Sequence, residues 1–326
     1  MAWRPSFRRL IGRLLLAGAS SLVTLGVIDW RLRASIGACG RTPFRTSPSA
    51  ALPHELAPGR TTTYKGVEVR INQQGFRGPE LTDPPPGSER IILAGDSFTF
   101  GNGCPEEGTL AVRLEAELRE RGHPAQVING GVPAYNADNV VALIRERLLP
   151  LAPTRVIYVM LYNDVDAAPP KTIVPDDATI DPLGDFPLHS PLLKLLSDRA
   201  SGLARRTGVS AHGYVETMLD TFHHGGNAAL GRALLEMRQL CDAHGVEFRV
   251  AVYPYLVAPA DNPYRPIEEE CVRRCGELAI PCTPLIDAFR ADENLSRYWV
   301  ALLDSHPNGE ANAKVARLLA DSLVNP

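Results

Sequence analysis

Two stretches far apart in this 326-residue sequence hold three residues of types that together perform nucleophilic chemistry. Ser97 lies in "GDSFTFG" (95–101), directly after the apolar run "RIILA". A serine hydroxyl is a weak nucleophile until a base takes its proton, and that base needs an acid to orient it. The stretch "LLDSHPNGEAN" supplies both: His306 as base, and Asp304 two residues earlier as its orienting acid. Residues i and i+2 of an extended segment point to one side, so the carboxylate can reach the ring. Each stretch also has a plain structural reading. "GDSFTFG" makes a small-residue turn from strand to helix, and Ser305 or Asn308 caps a final helix. Asp96 suits a bond to neighbouring backbone better than a base, because imidazole fills that role near neutral pH. Asp164, after "RVIYVMLYN", is expected to tie down the loop that follows, and Tyr253 and Tyr255 to pack or to line a pocket. No CxxC spacing and no His/Cys grouping suggests a metal, and no cofactor is expected.

The elements that must position these groups begin at Arg90. "RIILAG" reads as a strand covered on both faces, followed by a helix with Leu110, Leu114 and Leu118 on one stripe. "AQVIN" is the next strand, then a helix with Val140, Ile144 and Leu148. "RVIYVML" is a third strand, ending at Asn163. Some sixty residues (164–227) then break the rhythm, including a leucine-bearing helix near 192–203 and a polar loop at "TFHHGGN". A loop of that length is usually a lid, a binding segment or a disordered stretch. The pattern resumes with a helix over 228–243, the strand "EFRVAVYPY", a helix from Pro266, the short strand "CTPLI", and a closing helix bearing Val315, Leu318, Leu319 and Leu323. Strands alternating with helices predict a three-layer α/β/α sandwich around a mostly parallel, five-stranded, flavodoxin-like sheet. Ser97, the "GGVPAYN" loop and Asn163 each follow a strand, which puts all three at the carboxyl edge where such sheets bind ligands.

Composition excludes other classes. A net charge of −3 offers no basic field for a nucleic-acid backbone. Of the six cysteines, Cys241, Cys271, Cys275 and Cys282 lie close in sequence and could pair in an exported chain, with three pairings open. Cys241, Cys271 and Cys275 fall on helical stripes, however, and small buried hydrophobes are an adequate explanation for most of the four. Residues 1–35 carry Arg4, Arg8, Arg9 and Arg13 before the uncharged run "LLLAGASSLVTLGVI", the mark of a membrane anchor or a cleaved signal. A buried soluble helix is the third option. Arginines weighted ahead of the run favour an inside N-terminus and an exported body. Residues 36–88 form an irregular lead-in with a hairpin expected at Lys65-Gly66, and 89–326 form the main domain.

Taken in order, "GDSFTFG", "VINGGVPAYN", "LYND" and "DSHPN" resemble the first, second, third and fifth blocks of the SGNH (GDSL) hydrolases. "RINQQGFRGPE" upstream resembles membrane-anchored bacterial members. The resemblance implies a serine esterase acting on small O-acyl, expected acetyl, esters, with Ser97 as nucleophile and His306 and Asp304 completing the triad. The oxyanion would be held by the backbone N–H groups of Ser97 and Ala134 and by the Asn163 side-chain amide. The family usually has glycine where Ala134 stands, and commonly spaces acid and histidine by three residues rather than two. The expected substrate is an O-acylated envelope glycan, with a membrane acyltransferase as candidate partner. The expected location is the bacterial envelope, anchored to the inner membrane with the catalytic domain outside, or secreted after cleavage. The alternatives are an O-acyltransferase using the same triad and a non-catalytic glycan-binding module. A G-x-S-x-G elbow is absent, which separates the sequence from the α/β-hydrolases.

Overall fold

The computed structural model describes residues 42–84, 86–165, 211–302 and 304–324, with scattered positions between 13 and 31. The chain divides into two units, 1–41 with 179–201, and 42–178 with 202–326. In the first, the described positions are helical, and Val23, Leu25, Val27 and Ile28 are exposed there. No helix among the described residues is long and apolar enough to cross a membrane. The expected anchor over 1–35 and the leucine helix near 192–203 lie largely or wholly outside the described residues.

In the second unit, the main sheet is built from runs apolar at consecutive positions because both faces are covered. Its strands are β5 (Glu89–Gly95), β6 (Ala125–Gly131), β7 (Arg155–Met160), β8 (Glu247–Val252) and β9 (Cys282–Pro284), in the spatial order β6-β5-β7-β8-β9 and parallel throughout. Alternate side chains serve opposite layers. Ile92, Ala94, Val156, Tyr158 and Met160 enter one core cluster, while Ile91, Leu93, Ile157 and Val159 enter another. The first face is covered by α3 (Ala137–Leu143), α5 (Asn227–Ala243) and α6 (Arg265–Glu277), the second by α2 (Leu110–Glu120) and α7 (Gly309–Val324). This is the expected three-layer α/β/α sandwich. β5 is the switch point: the chain goes to β6 on one side and returns to β7 on the other, opening a crevice beyond the carboxyl end of β5.

Three small antiparallel pairs complete the unit. β1 (Phe44–Arg45) pairs β2 (Glu55–Leu56), and β3 (Thr61–Tyr64) pairs β4 (Val67–Arg70) through the expected turn at Lys65 and Gly66. β10 (Trp299–Ala301) pairs β11 (Asp304–Pro307). The lead-in is no loose strap. Phe44, Leu52, Leu56, Val69, Ile71 and Phe76 are buried in the same cluster as Phe100, Val132 and Tyr135. The sequence "TFHHGGN", expected as a polar loop, joins α4 (Ala211–Thr221) to α5 with His223, His224 and Gly225 exposed. The chain kinks at His224 and Gly225, and Gly225 reaches φ +130°. The five described cysteines (Cys104, Cys241, Cys271, Cys275 and Cys282) are free thiols.

Candidate active site

Ser97 opens the one-turn helix α1 (Ser97–Phe100), where the chain leaves β5. Asp96 caps it, its carboxylate accepting from the Phe98 N–H at 2.9 Å. Gly101 ends it in the left-handed region at φ +85°. As the first residue of the turn, Ser97 has an N–H with no intrahelical acceptor. The turn is braced from below by Arg77, which is buried. Its guanidinium donates to the carbonyls of Phe100 (2.9 Å), Gly101 (2.6 Å) and Cys104 (2.6 Å), at and just beyond the end of the turn. α1 also presses directly on the end of β6: a Cβ on Gly131 would stand 2.2 Å from the Phe100 nitrogen, so only glycine fits.

His306 and Asp304 lie on β11, held in extended form by β10. His306 Nε2 stands 2.9 Å from Ser97 Oγ. Its Nδ1 bonds the Asp304 carboxylate, which also accepts from the His306 backbone N–H at 3.2 Å. A carboxylate can only accept, so Nδ1 carries the proton and Nε2 presents its lone pair to the Ser97 hydroxyl. The His306 ring rests against Phe98, centroids 5.2 Å apart. Burial acts to raise the Asp304 pKa, but hydrogen bonding and charge attraction from His306, with Lys65 at 4.0 Å adding to them, hold it down at about 2. The plain reading of the segment holds alongside the chemical one, since Asn308 Oδ1 accepts from the Glu310 and Ala311 N–H groups and caps α7.

Asn163 stands in the short turn after β7 and donates through Nδ2 to Asp96 Oδ2 at 3.2 Å. Asp96 is fully buried. Burial pushes its carboxyl up, against the pull of the Phe98 N–H and the Asn163 amide. One amide hydrogen of Asn163 is thus committed to Asp96, and the other remains for a ligand. Asp164 ties down this turn as expected, accepting from the Tyr158 hydroxyl (2.7 Å) and the Leu161 N–H (2.9 Å). Burial, with Asp96 as neighbour, lifts it well above the usual carboxylate range. Ala134 follows β6 with φ +66°, a conformation that costs a residue bearing a Cβ about 1–2 kcal/mol. Its N–H makes no hydrogen bond among the described residues.

The structure therefore brings Ser97, His306 and Asp304 into one hydrogen-bonded series, with Asn163 joined to it through Asp96. Ala134 follows the adjacent strand β6. Tyr253 packs, wholly buried, with its hydroxyl on Asn312 at 3.2 Å, while Tyr255 meets Tyr162 and Tyr264 edge to face. Sequence reasoning passed over four residues. Asn102 is buried and puts its amide nitrogen 3.4 Å from His306 Nε2. Lys65 and Arg77 come from the lead-in, as does His54, whose ring bonds the Pro133 carbonyl. No group of three His, Cys, Asp or Glu side chains suited to a metal occurs among the described residues.

No family model and no curated protein matches the chain. Solved structures similar to it are GDSL-type lipolytic proteins and esterases. One is a lipase/acylhydrolase from Enterococcus faecalis, 14% identical over 72% of this chain and 95% of that one, with TM-score 0.46. A second is a GDSL-like lipase from Bacteroides thetaiotaomicron, at 13% identity, 75% and 92% coverage and TM-score 0.43. A third is an acetylxylan esterase from Geobacillus stearothermophilus, at 13% identity, 73% and 95% coverage and TM-score 0.45. At such identity and score the likeness carries no argument of its own. Fold and site together define a three-layer α/β protein with serine, histidine and aspartate in hydrogen-bonded series at the switch point of its sheet.

Proposed function

We propose that this protein is a serine ester hydrolase that removes small O-acyl groups. The observation that carries the reading is the Ser97 Oγ to His306 Nε2 contact of 2.9 Å, continued through Nδ1 to Asp304. Ser97 Oγ attacks the acyl carbonyl carbon as His306 Nε2 takes its proton, and Asp304 stabilises the imidazolium. Charge gathers on the former carbonyl oxygen, where the N–H groups of Ser97 and Ala134 and the free Asn163 amide hydrogen receive it. The carbon–oxygen ester bond breaks as His306 returns the proton to the leaving alkoxide. Water, deprotonated in turn by His306, adds to the acyl carbon; the acyl–Oγ bond then breaks as His306 returns that proton to Ser97 Oγ, and the acid leaves.

The finer reading, an acetylated envelope glycan as substrate, is supported by the four ordered blocks resembling SGNH enzymes. Location at the envelope is supported by the basic front of residues 1–13 and the apolar run after it, and by the exposed Val23, Leu25, Val27 and Ile28.

The test is hydrolysis of p-nitrophenyl acetate beside longer acyl esters. Ser97→Ala is expected to lower kcat by about 10^5- to 10^6-fold, as removal of a triad serine does. A fluorophosphonate probe is expected to label Ser97 alone. Accumulation of acyl-Ser97 without release would move the reading to acyl transfer. Silence toward every ester and toward the probe would overturn it.

A further inference from the structure

The residues on either side of Ala134 are both held by one residue from outside the sheet, Pro133 by its side chain and Tyr135 by its main-chain carbonyl and ring. His54 Nε2 lies 2.9 Å from the Pro133 carbonyl oxygen. That oxygen can only accept, so Nε2 carries the hydrogen. The Tyr135 hydroxyl, in return, donates to the His54 carbonyl at 2.5 Å, and the two rings meet edge to face with centroids 5.3 Å apart. Phe44 closes the other side of the imidazole, edge to face at 5.4 Å. His54 is only 3% exposed and Tyr135 only 1%, so neither bond competes with water. Between them Ala134 keeps its left-handed φ of +66° and an N–H bonded to nothing among the described residues. A backbone in that region persists only where its surroundings hold it there. Glycine would need no such holding; alanine does.

We infer that His54 is a positioning residue for catalysis: by clasping Pro133 and Tyr135 it holds the left-handed turn at Ala134, so that the Ala134 N–H faces the oxyanion. This rests on the hydrolase reading above. The lead-in thereby supplies what glycine's conformational freedom would otherwise supply, and the alanine and the histidine form a functional pair 80 residues apart in sequence.

The test uses the full chain and four variants. His54→Leu removes the donor while keeping the bulk, and His54→Gln restores a donor. Ala134→Gly frees the turn, alone and combined with His54→Leu. With p-nitrophenyl acetate, His54→Leu is expected to lower kcat by roughly 10- to 100-fold, short of the full loss of an oxyanion donor, with KM little changed. His54→Gln, and Ala134→Gly in the His54→Leu background, are each expected to recover most of that loss. A purely structural His54 would instead reduce the active fraction, and Ala134→Gly would rescue nothing. That outcome overturns the inference, as does an unchanged kcat in His54→Leu. Should the wild-type chain hydrolyse no ester, the hydrolase reading fails by itself. The clasp is then judged by amide hydrogen exchange. Faster exchange across 132–136 in His54→Leu, with β5 and β7 unchanged and His54→Gln like wild type, upholds the hold on the turn. Unaltered exchange there refutes it.

Discussion

Asp96 serves the chemistry at several points, and its Oδ2 also accepts from Ser97 Oγ at 3.4 Å. One carboxylate oxygen fixes the turn that presents Ser97, and the other aims the amide of Asn163, so a single buried acid sets both nucleophile and oxyanion donor. Removing the amide by Asn163→Ala is expected to lower kcat by about 100- to 1000-fold with KM nearly constant, since the lost bond matters only in the transition state. Asp96→Asn keeps an oxygen for the Phe98 N–H but turns an amide toward the Asn163 amide, two donors face to face. It is expected to lose activity to a similar degree. Adding it to Asn163→Ala should cost little more, because both act on one donor; additive losses measured by steady-state kinetics would refute this coupling. Ser97, Asn163 and His306 were legible in the sequence because each ends or sits beside a recognisable strand or block. Asn102 was not, since nothing local marks one asparagine in a Gly-rich turn as lying beside a histidine 204 residues away.

The elements differ in how plainly they announce themselves. β5 and β7 are apolar at successive positions and could only be strands covered twice. β10 and β11 are three and four residues long and half-buried, so their pairing, which holds Asp304 and His306 extended, exists only through the tertiary fold. The turn after β6 hid its left-handed residue because alanine gives no sign of positive φ. The segment carrying β1 and β2 has a consequence for acid stability. His54 lies buried and neutral, burial lowering its pKa to about 4 against the hydrogen bond to Pro133 that raises it. The unfolded chain takes up a proton near pH 6.5 that the folded chain refuses until about pH 4. Its contribution is therefore complete above about pH 6.5 and is lost as pH falls toward 4, amounting to on the order of 3 kcal/mol. Denaturant unfolding at pH 7 and pH 4.5 should show this decline in the wild type and a flatter one in His54→Gln. Equal slopes would contradict it.

In the whole molecule, the lead-in and the sheet are one body of core. Its six large apolar side chains, at about 1.5–3 kcal/mol each, amount to roughly 9–18 kcal/mol of burial, as much as the whole net stability of a typical domain. A chain beginning at residue 42 is expected to unfold cooperatively, whereas one beginning at 89 is expected to be insoluble or molten by near-UV circular dichroism. A folded, active 89–326 fragment would show the lead-in to be dispensable. The three-layer architecture was legible from the alternation of strands and helices, and so was the β3–β4 hairpin; the integration of the rest of the lead-in was not, because its Pro-rich stretches have no periodicity to read. The distance along the chain between nucleophile and base has a temporal meaning as well. His306 joins Ser97 across 209 residues, which at ~5–20 residues per second takes roughly 10–40 s to synthesise. Throughout that interval the emerging polypeptide carries an unarmed hydroxyl, and reactivity arrives only when β11 docks. All five strands of the main sheet, the last ending at Pro284, are thus made before the base that arms the serine.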